Sequence, residues 1–324
     1  MLFRSATLPA ARRTNNLTTV TDAIVHSVTY DNVSKRATGV KIIDANSKDN
    51  RQYSGRIIFL CASTLGSTQI MLNSISESFP NGIANSSGTL GHYLMDHIFM
   101  SGARGEHPGF QENYYSGRRP NGIYIPRYRN VTEKDDRFLR GYGFQGGASR
   151  PNWRRGLNMQ GIGLELKEKL RKPGSWQFHL GGFGEMLPDK RNRVLLDKNK
   201  QDQWGIPLLT IECELHDNEL KMLDAMADDA EAMLSAAGII NIQKYNEDVP
   251  PGLAIHEMGT ARMGHNPSNS VLNKFNQTHD VSNLFVTDGS AMTSSACQNP
   301  SLTYMALTAR ASAYAVHLLK EGKI

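Results

Sequence analysis

Three short stretches near the C-terminus hold the residue types that could do chemistry. In AIHEMGTARMG, His256 stands beside a glycine-rich, turn-prone run. An imidazole can take or release a proton near neutrality, although a lone histidine is more often a satisfied structural residue. LFVTDGS has the pattern of a strand ending in Asp288-Gly289. That pair is usually only a turn, but the carboxyl end of a strand in an open α/β sheet is also where cofactors bind. CQNPSLT sets Asn299 near the N-cap of a helix and Pro300 at its first helical position, where the missing N–H costs nothing. The start of a helix presents unpaired N–H groups, so it suits an anionic or electron-rich group as well as an ordinary cap.

Other motifs dissolve on inspection. GYGFQG (141–146) matches G-x-G-x-x-G literally. A dinucleotide cradle needs a buried strand before it and a helix after it; EKDDRFLR and GASRPNWRRG supply neither, so a glycine-rich strand edge is expected. HEMGT at 256–260 has Thr260 where a zinc helix needs its second histidine. HYLMDH could seat a metal on a helix through His92, Asp96 and His97, but no further anchoring ligand accompanies it, so no metal is expected. A serine hydrolase is disfavoured because G-x-S-x-G is missing.

The elements that must position these residues follow from patterning. LTTVTDAIVHSVTY (17–30) and ATGVKIID alternate as strands. GRIIFLCAS is a continuous apolar run, a strand covered on both faces, and it passes straight into a helix, STLGSTQIMLNS, with apolar Leu65, Ile70 and Leu72. Strand, tight turn and helix form half of a βαβ unit. Between about 98 and 250, strand-like pieces such as NGIYIPRYRN, SWQFHLGGFGEML, NRVLLDKN and IPLLTIECEL alternate with Gly, Pro and charged turns, and predict a mostly antiparallel sheet. One helix follows, with Asp217 as its N-cap, Gly238 beyond its end and Leu220, Leu223, Met226 and Met233 as its core stripe. SLTYMALTARASAYAVHLLKEG closes the chain as a long helix whose Leu302, Met305, Ala309, Ala313 and Val316 define a buried face. The expected class is α/β, α+β overall: an incomplete Rossmann-like FAD/NAD(P)-binding domain plus a substrate domain with a mostly antiparallel sheet and helices. The boundaries are 1–97, 98–255 and 256–324, the last segment returning to the first domain.

Composition bounds the function. The 324 residues carry a modest charge of +5 with scattered basic residues. Arg118-Arg119 and Arg154-Arg155 read as loop pairs, not a nucleic-acid stripe. Cys61, Cys213 and Cys297 are far apart and odd in number, which argues against a disulfide framework. No apolar run approaches the ~18 residues of a membrane span, and the N-terminus lacks the apolar core of a signal peptide. A soluble protein, cytoplasmic or periplasmic in a bacterium, is the expectation, with the compartment itself undetermined.

The order and spacing of HEMGTARMG, LFVTDGSAM and CQNPSLT resemble the C-terminal signature of the glucose–methanol–choline (GMC) oxidoreductases, which carry FAD. The Asn-Pro form is most similar to the pyranose 2-oxidase and bacterial sugar or gluconate dehydrogenase branch. LTTVTDAIVHSV, IIFLCASTLGSTQIMLNS and NSSGTLGHYLMDH extend the likeness upstream, and it is weakest over 98–250. The resemblance implies oxidation of an alcohol, a sugar or polyol, with FAD as cofactor. It implies His256 as base and Asn299 as the group that orients the substrate oxygen. It also implies cofactor contacts at Val25, Ala62, Asp288, Gly289, Asn299, Pro300 and Thr303. The electron acceptor stays open among oxygen, a quinone and a cytochrome. Two other implied outcomes are a non-redox flavin-binding relative, like the hydroxynitrile lyases, and an inactive fragment. The family's N-terminal G-x-G-x-x-G unit is not found in this sequence, so weak FAD binding by the chain alone is expected. Pocket lining falls to Tyr124, Tyr128, Trp153, Trp176, Phe178 and His179 as candidates.

Overall fold

The computed structural model describes residues 6–112, 122–247 and 249–324; Arg118-Arg119 lies outside the described residues. After a short helix α1 (Leu8–Arg13), three strands β1 (Ala23–Asp31), β2 (Arg36–Asp44) and β3 (Asn50–Ser54) form an antiparallel meander. β1 begins at Ala23 and not at 17, because Asp22 takes a φ of 55° and its carbonyl accepts from Ala45 N–H, which closes the ladder there.

The apolar run yields the short strand β4 (Ile58–Leu60), followed by α2 (Ser63–Asn73). Alternation across β4 explains its lack of polar residues: Ile58 and Leu60 enter one core, while Phe59 stacks on Phe285 at 4.9 Å in another. α2 turns Thr64, Ser67 and Thr68 inward along with Ile70 and Met71, whereas Leu65 and Leu72 are half-buried.

The chain then builds β5 (His97–Ile98), β6 (Ser101–His107), β7 (Gly122–Ile125) and β8 (Tyr142–Ser149). A 3-10 turn (Trp153–Asn158) and α3 (Gly163–Arg171) lead to β9 (Trp176–Glu185). The hairpin β10 (Arg193–Gln201) and β11 (Pro207–Glu212) comes next, then α4 (Asp217–Ala236) and β12 (Ile240–Asn246). The antiparallel sheet has the order β12-β6-β9-β8-β7, with β5 on one end of β9. GYGFQG therefore lies at the start of an interior strand and not at a sheet edge. A Cβ on Gly143 would sit 2.8 Å from the Ile125 carbonyl oxygen, and one on Gly146 would sit 2.8 Å from Leu180 Cδ2, so close strand approach explains these glycines.

α4 covers this sheet and buries Met222, Leu223, Met226, Ala230 and Leu234, while Leu220 faces solvent. Its N-cap is His216, one residue before the expected Asp217; the Glu219 carboxylate accepts from His216 N–H at 3.1 Å, half of a capping box. Gly238 follows the C-cap at a φ of 76°, a conformation that favours glycine.

β13 (Leu284–Val286) returns to pair with β4 in parallel, in register Ile58 to Leu284. A 3-10 turn (Gly289–Ala291) and α5 (Ser301–Lys320) end the fold. Here the expected face of α5 is overturned. The buried strip is Ala311, Ala315 and Leu318, packed with Phe285, and Leu302 is 78% exposed, with Met305, Ala309, Ala313 and Val316 also facing solvent. Apolar residues occur all around this helix, so periodicity alone does not pick out the narrow side that is covered. Among the described residues no helix is long and apolar enough to cross a membrane.

Candidate active site

Four segments wind together beside the first turn of α2. Met95 and Met258 exchange two backbone hydrogen bonds, of 2.9 and 2.8 Å. Gly259, Ala261 and Met263 donate in turn to the carbonyls of Gly289, Ser290 and Ala291. The polar face of α2 finds its partners here: Thr64 Oγ1 donates to the Glu257 carbonyl at 2.5 Å, and Thr68 Oγ1 donates to Thr260 Oγ1 at 2.7 Å. Gly289 sits in the tightest part. A Cβ there would be 2.5 Å from the Glu257 carbonyl oxygen and 2.9 Å from the Tyr304 hydroxyl.

Asp288 and Ala62 meet through Ser67. The Ser67 hydroxyl donates to Asp288 Oδ2 at 2.5 Å and accepts from Ala62 N–H at 3.0 Å. Asp288 Oδ1 receives the Ser290 N–H at 3.0 Å and so caps the 3-10 turn at the end of β13.

His256 is placed by a residue two segments away. The Asp96 carboxylate is 1% exposed and accepts four backbone N–H groups. Oδ1 takes those of His97 at 2.8 Å and His256 at 3.1 Å; Oδ2 takes those of Gly252 at 2.9 Å and Ala254 at 3.1 Å. The turn it holds is strained: Ile255 has a φ of 57°, unfavourable for a β-branched residue. Negative charge surrounded by four donors fixes the backbone that carries His256.

His97 completes the arrangement. Its ring meets that of His256 edge-on, with centroids 5.0 Å apart. Its Nδ1 lies 3.0 Å from the Ala296 carbonyl oxygen, and since a carbonyl only accepts, Nδ1 carries the hydrogen. Burial, and then the neighbouring His256, push its pKa down, with Asp96 and the Ala296 and Gly184 backbone opposing them, so the ring is neutral and Nε2 carries no hydrogen. That Nε2, His256 Nδ1 and the Tyr304 hydroxyl are all buried without a hydrogen-bond partner. Burial raises the Tyr304 pKa first, reinforced by Asp288, Glu257 and Asp96, which keeps it a neutral donor.

The loop leading to α5 is pinned from β9 as well, since Ser295 Oγ accepts from Met186 N–H at 3.0 Å. Pro300 is buried and occupies the N-cap with a φ of −86°, and Ser301 is the first helical residue. The expected frame is therefore shifted by one: Asn299 precedes the cap and is exposed at the helix mouth, and Thr303 is exposed in the first turn.

The remaining positions are scattered. Val25 packs in the core under the β1–β2 meander. HYLMDH is not helical, and among the described residues no three His, Cys, Asp or Glu side chains gather as a metal site. Tyr124, Trp153 and His179 are exposed, and Phe178 packs against the sheet core. Trp176 Nε1 donates to the Phe110 carbonyl. Tyr128 joins Tyr142 and Arg129 around the Asp229 carboxylate. Sequence reading missed the positioning roles of Asp96 and His97; HYLMDH drew attention to both, but only as candidate metal ligands.

Residues 188–308 match the GMC oxidoreductase family model. This segment belongs to the GMC oxidoreductases. It contains His256, Asp288, Gly289, Asn299, Pro300 and Thr303; Val25 and Ala62 lie outside it. The chain is 32% identical over 287 residues to a 2-methyl-1,2-propanediol dehydrogenase of Mycolicibacterium austroafricanum, covering 86% of this chain and 51% of the relative. It is 26% identical to the fructose dehydrogenase large subunit of Gluconobacter japonicus, covering 94% and 54% respectively. Among solved structures, a formate oxidase of Aspergillus oryzae, studied for its FAD modification, superposes with a TM-score of 0.63 at 13% identity, over 95% of this chain and 62% of that one. The chain thus spans about half the length of the curated relatives it matches. The GMC segment supplies the 256–263 strip, the Asp288–Gly289 turn and the mouth of α5, while Asp96, His97 and α2 brace it from outside.

Proposed function

We propose that this chain forms the substrate side of an FAD-dependent oxidoreductase acting on CH–OH groups, on an alcohol, sugar or polyol. The observation that carries the reading is the convergence of His256 and His97 on the loop before Asn299, with three buried polar atoms left without partners in the same neighbourhood. Such atoms are costly unless something pairs with them. The relatives named above as dehydrogenases of a diol and of fructose fit that substrate class. The domain division at about 97 and 255 accompanies this proposal.

The residues suit FAD. Asp288 and Gly289 sit at the carboxyl end of a parallel strand, beside the first turn of α2 and the Ala62 backbone, which is where a polar cofactor segment would be held. Asn299, Pro300 and Thr303 stand at the start of α5, whose N-terminal end favours negative charge. Val25 is a more distant contact. Bound there, FAD would accept the hydride from the carbinol carbon.

The chain's own residues do the rest. His256 as neutral imidazole takes the hydroxyl proton of the substrate. The Asn299 amide donates to the substrate oxygen and fixes which hydrogen faces the cofactor. Asp96 holds the His256 backbone, and His97 keeps the neighbouring space filled and uncharged.

The test is anaerobic mixing of the protein, with its FAD occupancy first established by titration, with a panel of alcohols and sugars, following loss of oxidised-flavin absorbance. Reduction by at least one substrate is expected, slowed about 10²–10⁴-fold in His256→Ala. No reduction across the panel refutes the redox reading, and a loss below about tenfold removes His256 as base.

A further inference from the structure

Between β8 and β9, the segment from Trp153 to Lys172 carries Trp153 on its surface and supplies none of the residues that surround His256. Its 3-10 turn and α3 bury no residue completely, yet they are firmly tied down. The Arg155 guanidinium donates to the carbonyls of Pro151 (2.9 Å), Lys169 (3.0 Å) and Lys172, which closes the C-terminal end of α3. Arg150 anchors the base by donating to the Gly174 carbonyl at 2.8 Å and to Gln111. Leu166 and Leu170 turn inward, Leu170 against Gly156.

What this fixed hairpin shows to solvent is apolar. Ile162 is 89% exposed, Leu157 81%, Trp153 68% and Leu164 67%. Four large apolar side chains within twelve residues of one braced element form a patch, not scattered surface residues. The charges around it have one predominant sign. Residues 153–172 hold six basic and two acidic side chains; Lys167 and Arg171 recur three and seven residues after Leu164, on its face of α3, with Glu168 between them as the one acid of that face. Arg154 adjoins Trp153, and all three of these cations are exposed.

We infer that this hairpin is a docking surface for an anionic lipid bilayer. Trp, Leu and Ile side chains rimmed by Lys and Arg, on a short element lying at the surface, are the composition of an interfacial anchor. The apolar side chains would enter the headgroup–acyl boundary, and Arg154, Lys167, Arg171 and Lys172 would meet the lipid phosphates. A soluble protein partner would offer an apolar recess but would have no general reason to match a rim in which cations outnumber acids by six to two.

Co-sedimentation of the 324-residue chain with vesicles tests this, comparing phosphatidylcholine alone with phosphatidylcholine mixed with phosphatidylglycerol. Binding is expected only to the mixed vesicles, with the Trp153 emission shifted to the blue, assigned by difference from Trp153→Phe. Ile162→Ser/Leu164→Ser changes only exposed side chains and should weaken binding about tenfold or more with an unaltered melting temperature. Lys167→Gln/Arg171→Gln should weaken it about fivefold per charge removed. Absence of binding to mixed vesicles overturns the inference, as does binding that the apolar double variant leaves unchanged. Concentration-dependent self-association abolished by Ile162→Ser/Leu164→Ser, without lipid binding, would instead make the patch a contact between copies of the chain.

Discussion

Replacing Asp96 by Asn would test how the candidate base is held. The carboxylate uses both oxygens, each receiving two backbone N–H groups. An amide keeps one oxygen and turns two hydrogens toward the other pair of N–H groups, so two charge-assisted bonds are lost and donors face donors. At about 1.5–3 kcal/mol per hydrogen bond to a charged group, the loss is about 3–6 kcal/mol. Part of it returns when the turn relaxes, because Ile255 is held in a left-handed conformation that costs about 1–3 kcal/mol. The net expectation is about 2–3 kcal/mol of stability lost, together with the ordered position of His256. Urea denaturation gives the first number, and hydrogen exchange at the Gly252, Ala254 and His256 amides gives the second. A loss below about 1 kcal/mol with those amides still protected would show that the carboxylate does not hold this turn.

Two further outcomes follow from the same site. The folded-state pKa of His97 lies below the usual 6.5, so on acidification the unfolded chain takes up the proton first. Stability should be full above pH 6.5 and fall as pH drops through the folded value, by at most about 1.4 kcal/mol per pH unit for this one proton. His97→Phe should flatten that acid limb of a melting-temperature profile, leaving the contribution of His26, which burial also depresses; an unchanged limb would show that His97 takes up its proton alike in the folded and unfolded chain. Gly289→Ala should destabilise by about 1–3 kcal/mol, since its Cβ meets the Glu257 backbone and the Tyr304 hydroxyl, and a neutral substitution by thermal denaturation would mean that the turn yields freely.

Some of this organisation was legible in the chain and some was not. β4 read correctly as a buried strand because both of its faces are covered, and the antiparallel character of the middle region followed from its turn spacing. The site segments came into view through His256, Asp288 and Asn299, whose order along the chain is distinctive. The inward face of α2 did not: Thr64, Ser67 and Thr68 look like a solvated side until the Glu257 carbonyl, Asp288 and Thr260 supply their partners. α5 failed for the opposite reason, apolar residues on every side with only Ala311, Ala315 and Leu318 covered. Asp96 was illegible as a positioning residue because three of the four backbone amides it accepts lie about 160 residues further on, which no side-chain pattern announces.

The β4–β13 pairing also sets an order of assembly. Cys61 and Thr287, which touch at the end of that pair, are 226 residues apart in the chain. Asn283 likewise bonds the backbone at Ala37 across 246 residues. Closing so long a loop before any local reward is slow, whereas β8 with β9, and β9 with α4, meet over much shorter spans. During synthesis the sheet with α4 can therefore fold before β13 is available, and β4 waits without its parallel partner. In that interval the unpaired edge of β4 is open to non-native pairing.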